Sequence, residues 1–330
     1  MFCYVIILGK LKFLKRASSR EQFRSLTIRQ LAEEELIMSN SLVGLPSDKL
    51  GLVLDFVGKL RSQKGFEEQA SLFLSGKDPF AVPAKNAKRE IERFAAKTAR
   101  MLSKRFGKRI HVDQIPPEFT DENLAHWAKY NMKPVLLPRE EISLARKLNN
   151  FTKLEQWFYD RVQDGKIKPT YPDLPPTLLR GCWHLADFTV SADYTDGSQV
   201  FVDDPLAPII ADLRTKKLVG RHNNTPDGSR FAITPDEWQD CVLAHVASKL
   251  GVTRAQMRLE RAVEFNAIGN LYDPNRGKFN AWEWFEDRFE DSNRLYGGYR
   301  DYGGLASVSF NWHDNRSSNV AARPLVSFIQ

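Results

Sequence analysis

The chain has 330 residues, 42% of them hydrophobic and 27% charged, with 19 Gly and 17 Pro. That balance fits a folded protein and excludes collagen-like, coiled-coil and wholly disordered compositions, while the length allows one large domain or two of about 150 residues. The net charge of +7 is uneven: 31 basic and 20 acidic residues precede position 170, against 17 and 21 from there on, so the two halves need not share a partner. Cys3, Cys182 and Cys241 are too few and too scattered for a disulfide framework or a four-thiolate zinc site, and they agree with a reduced compartment.

In chain order, the apolar start from Met1 to Gly9 is too short to span a membrane and lacks the leading basic segment of a secretory signal. No transmembrane segment is expected, and on these signals alone the setting is cytoplasmic. Display at a surface would need a route without a recognised signal. Met38 opens a second plausible beginning, so residues 1–37 read as an extension. Leu50, Leu52, Val53, Leu54, Val57 and Leu60 predict a helix over 47–63, with a short second helix at 66–75.

The pattern is clearest from Ala84 to Phe106. Ile91, Phe94, Ala95, Thr98, Leu102 and Phe106 form one stripe, while Arg89, Arg93, Lys97, Arg100, Lys104 and Lys108 step by three or four along another. This basic amphipathic helix reads first as a solvated face and second as a contact for nucleic acid, anionic lipid or an acidic protein surface.

A helical run is predicted from Arg139 to Val162, and Asp173–Pro176 is the best linker. Segments 183–190 and 199–202 read as short strands. Thr234-Pro235-Asp236-Glu237 opens a helix, with Thr as N-cap and Pro at the first helical position, that should end near Gly251. Ten aromatics then fall within 279–312, with Gly297, Gly298, Gly303 and Gly304 among them, which predicts irregular, well-packed loops.

Within this half Arg258–Phe265, Gly269-Asn270, Asn280-Ala281-Trp282-Glu283-Trp284, Asp287, Arg294–Gly298 and Ala322-Arg323-Pro324 follow one another in order. The set resembles the formylglycine-generating-enzyme branch of C-type lectin-like folds over residues 178–330. Members that oxidise cysteine use a late cysteine pair, and this chain has no cysteine after Cys241, so the resemblance does not extend to that chemistry. It is more similar to the variable proteins of diversity-generating retroelements, which use this fold as a noncatalytic display scaffold with a diversified segment near the C terminus.

The resemblance implies a C-type lectin-like domain at 178–330; with an extension at 1–37, a helical basic domain at 38–110 and a connecting region with a helix at 111–177, read from the residue pattern, the chain is expected to be α+β. It implies a ligand-binding surface at Tyr296, Tyr299, Asp301, Tyr302, Ser307, Ser309, Asn311, His313, Asp314, Asn315, Ser317 and Asn319. Trp282, Glu283, Trp284, Gly297, Gly298 and Arg323 take structural roles, and the partner is a protein or cell-surface ligand. The alternative is a nucleic-acid-associated protein acting through the helix at 84–108.

Enzymatic readings are weaker, and the chain is not expected to be an enzyme. Cys182, His184 and Asp187 offer the residue types of a nucleophilic site without an oxyanion motif. Asp193, Asp196, Asp203, Asp204 and the turn Asp273–Gly277 fit turn capping as well as a structural calcium, and their spacing is not that of an EF-hand. No cofactor fingerprint occurs.

Overall fold

Residues 84–112 and 114–329 are described by the computed structural model, with side chains from residue 91 onward. The extension expected at 1–37 and the helices expected at 47–63 and 66–75 lie outside the described residues. The described elements begin with α1 (Ala84–Phe106), α2 (Asp121–Ala128), β1 (Met132–Leu137), α3 (Gln156–Gln163), β2 (Ile167–Lys168), β3 (Cys182–Asp187) and α4 (Ala207–Thr215). An α-turn at Pro235–Glu237 widens into a π-helical turn at Trp238–Val242 and continues as α5 (Leu243–Leu250). Then come β4 (Met257–Leu259), α6 (Ala262–Leu271), β5 (Trp282–Phe289), β6 (Asn293–Gly297), β7 (Val308–Trp312), β8 (Val320–Ala322) and β9 (Pro324–Phe328). The fold is α+β.

Two sheets organise these elements. The first has the order β1-β3-β9-β4 and is antiparallel throughout. In the second, β5 pairs with β6 on one side; its other side is shared by parallel β8 at its start and antiparallel β2 at its end, and β7 pairs with β6 at the edge. Ala84–Gln330 is one of the chain's two compact units. The division expected at 177/178 therefore falls inside a single unit, because β1 pairs residue for residue with β3 across it.

Helix α1 follows its stripe. Ala95, Thr98, Leu102 and Phe106 are buried, Ile91 is half-buried, and Phe94 stays 36% exposed with its ring 6.0 Å from that of Trp183. The predicted helix from Thr234 is also present: the Thr234 hydroxyl accepts from the Glu237 N–H, the Glu237 carboxylate accepts from the Thr234 N–H, and Gly251 ends the run at φ 68°.

Residues 199–202, expected as a strand, form none, and two further expectations fail for identifiable reasons. The run from Arg139 is helical only from Gln156, because the backbone at 140–142 bonds instead to 177–179 and Asn150 takes φ 48°. The lysine of Lys153 donates to the carbonyls of Leu144 and Arg146, and Arg105 donates to those of Asn149 and Asn150, so side chains replace the helical ladder. In the aromatic-rich segment, β5, β6 and β7 stand where loops were predicted.

Beneath the second sheet, Leu154, Phe158, Ile167, Phe265, Phe285, Phe289, Leu295 and Val308 form a compact apolar cluster. Between the sheets lies a layer of buried charge. Arg230 bonds Asp187 and Asp204, Arg276 bonds Glu260 and lies beside Asp273, and Arg323 bonds Glu283. Five carboxyl groups thus share three guanidinium groups. Burial pushes the Glu260 carboxyl up to about 8, Arg276 offsets only part of that, and Glu283 adds to it. One Glu260 oxygen, Oε1, meets no hydrogen-bond partner among the described residues.

The folded protein thus holds the Glu260 proton more tightly than the unfolded chain. This contribution to stability is full below the ordinary glutamate range and is lost as pH rises toward 8, at about 1.4 kcal/mol per pH unit. Urea unfolding of Glu260→Gln across pH 5 to 9 should show that slope removed, with the variant gaining on the parent as pH rises. An unchanged slope would place the proton elsewhere.

Candidate functional site

The expected binding segment runs from β6 through β7 to β8, and its base is fixed from below. On β5, the Glu283 carboxylate accepts from Arg323 Nε at 2.8 Å, and Trp284 is buried. Arg323 also donates to the carbonyls of Asp187 and Thr189. All three are among the residues expected to take structural roles, and all three are buried. The two glycines act differently. A Cβ on Gly297 would fall 2.3 Å from the Ser307 carbonyl oxygen, so β6 and the chain entering β7 approach too closely for any side chain. Gly298 takes φ 92°, and a Cβ there would meet the Phe265 ring at 2.7 Å.

Ser307 departs from the expectation. It is buried, its hydroxyl accepts from the Gly298 N–H at 3.1 Å, and it donates to the Gly304 carbonyl at 3.2 Å. The side chain reinforces the backbone bonds that already join Gly298 to Ser307 and Ser307 to Gly304, which makes it a latch under the surface rather than part of it.

Above the base stands an aromatic cluster. Trp282 is half-buried, with the rings of Tyr296, Tyr299 and Tyr302 at 4.8, 4.9 and 5.6 Å. Tyr302 is 70% exposed. Trp282, expected only as framework, is therefore the floor on which exposed Tyr302 and half-buried Tyr296 and Tyr299 rest. Strand pairing sets Tyr296 opposite Ser309 and Arg294 opposite Asn311, so Tyr296, Ser309 and Asn311 share one face of the sheet. Phe310 and Trp312 alternate onto the other face, where Phe310 stacks on Phe289 at 4.1 Å and Trp312 is 62% exposed. Both lie outside the expected binding set, which is drawn from polar and Tyr positions.

Several tips are less free than expected. Asp301 is exposed, yet Asn280 Nδ2 donates to its carboxylate at 2.7 Å and Arg300 Nε at 3.0 Å, and these two bonds hold the carboxyl below its ordinary range. Asn280 and Asp193 extend this rim: the Asn280 N–H donates to Asp193 at 2.7 Å, and Arg300 faces the same carboxylate. His313 lies in hydrogen-bond contact with Asp236, and Arg316 makes two bonds to Glu237 at 2.6 and 2.7 Å. The segment after β7 is thereby tied to the helix opening at Thr234. Asn315 closes a turn onto the Trp312 carbonyl, Ser317 donates to Asn319 at 2.5 Å, and Asp314 is exposed.

The catalytic and metal candidates are dispersed. Cys182 Sγ lies 3.4 Å from His184 Nε2, and His184 Nδ1 is 3.0 Å from the Ser327 hydroxyl. Asp187 projects from the opposite face of β3 toward Arg230, so the three residues do not form a triad. Burial pushes the His184 imidazole down to about 3, which keeps it neutral. Asp196 accepts from the Ser198 N–H, Asp204 binds Arg230, and Asp273 accepts from the Asn275 N–H. Among the described residues no group of three or more His, Cys, Asp or Glu side chains is placed to hold a metal ion. No described helix is long and apolar enough to cross a membrane. An open groove of about 490 Å³ beside α1, lined by Ile91, Phe94, Leu124, Val135, Phe188 and Tyr272, is apolar apart from Lys133 and offers no reactive group.

No protein-family model, curated protein or solved structure matches the chain. Ser307→Ala removes the buried hydroxyl that bridges Gly298 and Gly304 and should cost about 1–3 kcal/mol in urea unfolding. Asp314→Ala, at an exposed position, should stay within about 0.5 kcal/mol of the parent. Equal effects would remove the distinction between latch and tip.

Proposed function

We propose that this chain is a noncatalytic ligand-binding protein whose recognition surface is the face carrying Trp282, Tyr296, Tyr299, Tyr302, Ser309 and Asn311. The observation that carries the reading is the aromatic cluster: exposed Tyr302 and half-buried Tyr296 and Tyr299 rest on a half-buried tryptophan whose neighbours on β5, Glu283 and Trp284, are buried. Large rings with only two side-chain torsions lose little freedom on binding, and Ser, Asn and Asp around them supply adaptable hydrogen bonds. Such a surface fits a protein or cell-surface ligand, with aromatic anchors at its centre and polar groups at its rim.

The same division between fixed base and variable tips supports a C-type lectin-like scaffold of the kind used by variable proteins of diversity-generating retroelements. In that reading the framework Gly297, Gly298, Glu283, Trp284 and Arg323 stay constant while exposed positions from Tyr296 to Asn319 change. Ser307 belongs with the framework. Function lies in the grafted surface rather than in the fold.

A panel of protein and glycan ligands screened against the full chain tests the binding claim. Tyr302→Ala should leave unfolding free energy within about 0.5 kcal/mol of the parent and weaken binding of any ligand found about tenfold or more. Trp284→Ala should cost about 3–5 kcal/mol, since its ring is buried. Loss of stability in Tyr302→Ala comparable to that in Trp284→Ala would make the cluster a core feature and end this reading. The diversification claim has its own check: a near-identical second copy of the coding segment for residues 290–330, differing mainly at adenines.

A further inference from the structure

The outward face of α1 carries four cations that the fold leaves unused. Arg93, Lys97, Arg100 and Lys104 are exposed, and none enters an ion pair among the described residues. Their neighbours are engaged: Lys108 pairs with Glu140 at 2.5 Å, and Arg105 donates to the carbonyls of Asn149 and Asn150 at 2.8 and 2.9 Å. At about 100° per residue the four side chains fall within an arc of about 60°, and their eleven-residue span rises about 16 Å along the axis. Glu92, the helix's one acidic side chain among those described, stands about 80° from that arc.

The chemistry of the surrounding surface selects the partner. A helix that lies in a bilayer interface needs an apolar face to insert. Here that face, with Ala95, Leu102 and Phe106, is buried against the core. A protein interface needs aromatic or aliphatic anchors at its centre, and no large apolar side chain shares the arc. What remains is a straight row of point charges and planar guanidinium groups, which suits a regularly charged polyanion with phosphate oxygens. We propose that α1 docks the phosphate backbone of a nucleic acid through Arg93, Lys97, Arg100 and Lys104. The contact is sequence-independent, since it reaches phosphates rather than base edges. It is separate from the aromatic face and stands whether or not that face binds a ligand.

The test is fluorescence anisotropy of the full chain with a labelled 20-base-pair DNA duplex and with a single-stranded RNA of the same length, over a salt series. Four phosphate contacts predict a slope of log Kobs against log salt of about −3.6 for the duplex and about −2.8 for the single strand. A variant with Arg93→Gln, Lys97→Gln, Arg100→Gln and Lys104→Gln should lose about a hundredfold or more in affinity near 50 mM salt and most of the slope. Its thermal unfolding should match the parent, because these side chains are exposed and unpaired. A control with Lys129→Gln, Lys217→Gln, Lys249→Gln and Lys278→Gln changes net charge equally at other exposed sites and should keep the binding. The proposal is overturned if the parent binds neither nucleic acid at low salt, or if the control loses as much as the α1 variant. It is also overturned if phosphatidylserine vesicles bind the parent as tightly, with the same dependence on the four cations.

Discussion

Three buried guanidinium groups converge on Asp187, and the arrangement of the second half of the fold depends on them. Arg230 bonds the Asp187 carboxylate, while Arg276 donates to the Asp187 carbonyl at 2.7 Å and Arg323 to the same oxygen at 3.4 Å. The groups come from three segments far apart in the chain and meet at the end of β3. Arg230 and Arg323 also lie over the Phe201 ring, at 4.7 and 4.9 Å from its centroid. A guanidinium buried without partners would be prohibitive, so each of these contacts is obligatory once the chain closes. Short strands such as β4 and β8, three residues each, bury little on their own. The charge layer supplies the register that longer strands would otherwise provide.

That layer explains how the opposite surface can carry exposed rings without loosening. Glu283 is held by Arg323, so the start of β5 is fixed at one end of the same network that fixes β3. The edge of the sheet is managed as well. Alternate residues of β7 turn their backbone groups outward. The Val308 N–H is taken by Glu155 Oε1 at 2.7 Å, and the Trp312 N–H by Asn311 Oδ1 at 2.9 Å. Side chains thus occupy two of the donors that another strand would use. Phe310 and Trp312 remain exposed on an edge that is poorly prepared to add a strand.

What could be read beforehand follows from how local each signal is. Helix α1 and the capping box at Thr234 rest on contacts three or four residues apart, and both were legible in the pattern of residues. The segment at 139–155 was not, because its backbone partners lie at 105 and 177–179. The strands β5 to β7 were hidden by their side chains: aromatics fill both faces of the sheet, so the usual alternation of polar and apolar residues is absent. Glu283 and Arg323 are buried and bonded to each other across 40 positions, a pairing that no local pattern displays. Ser307 was misplaced because a serine beside glycines looks the same whether it faces solvent or closes a turn. Only its depth, set by the close approach at Gly297, distinguishes the two.

Charge shows the same limit from the other side. Counting residues makes the first half basic and the second slightly acidic, yet the count gives every arginine equal weight. In the second half Arg230, Arg258, Arg261, Arg276 and Arg323 are buried and bonded to carboxylates or carbonyls. They contribute to the interior and almost nothing to the field outside. Glu264, between Arg258 and Arg261, is held well below its ordinary range by those two cations although burial alone would raise it. On α1 the exposed cations lack such partners, so their field reaches the solvent, weakened only by the ions there. The asymmetry that matters for recognition is therefore between buried, neutralised arginines and one row of exposed, uncompensated cations, and it follows burial rather than the midpoint of the chain.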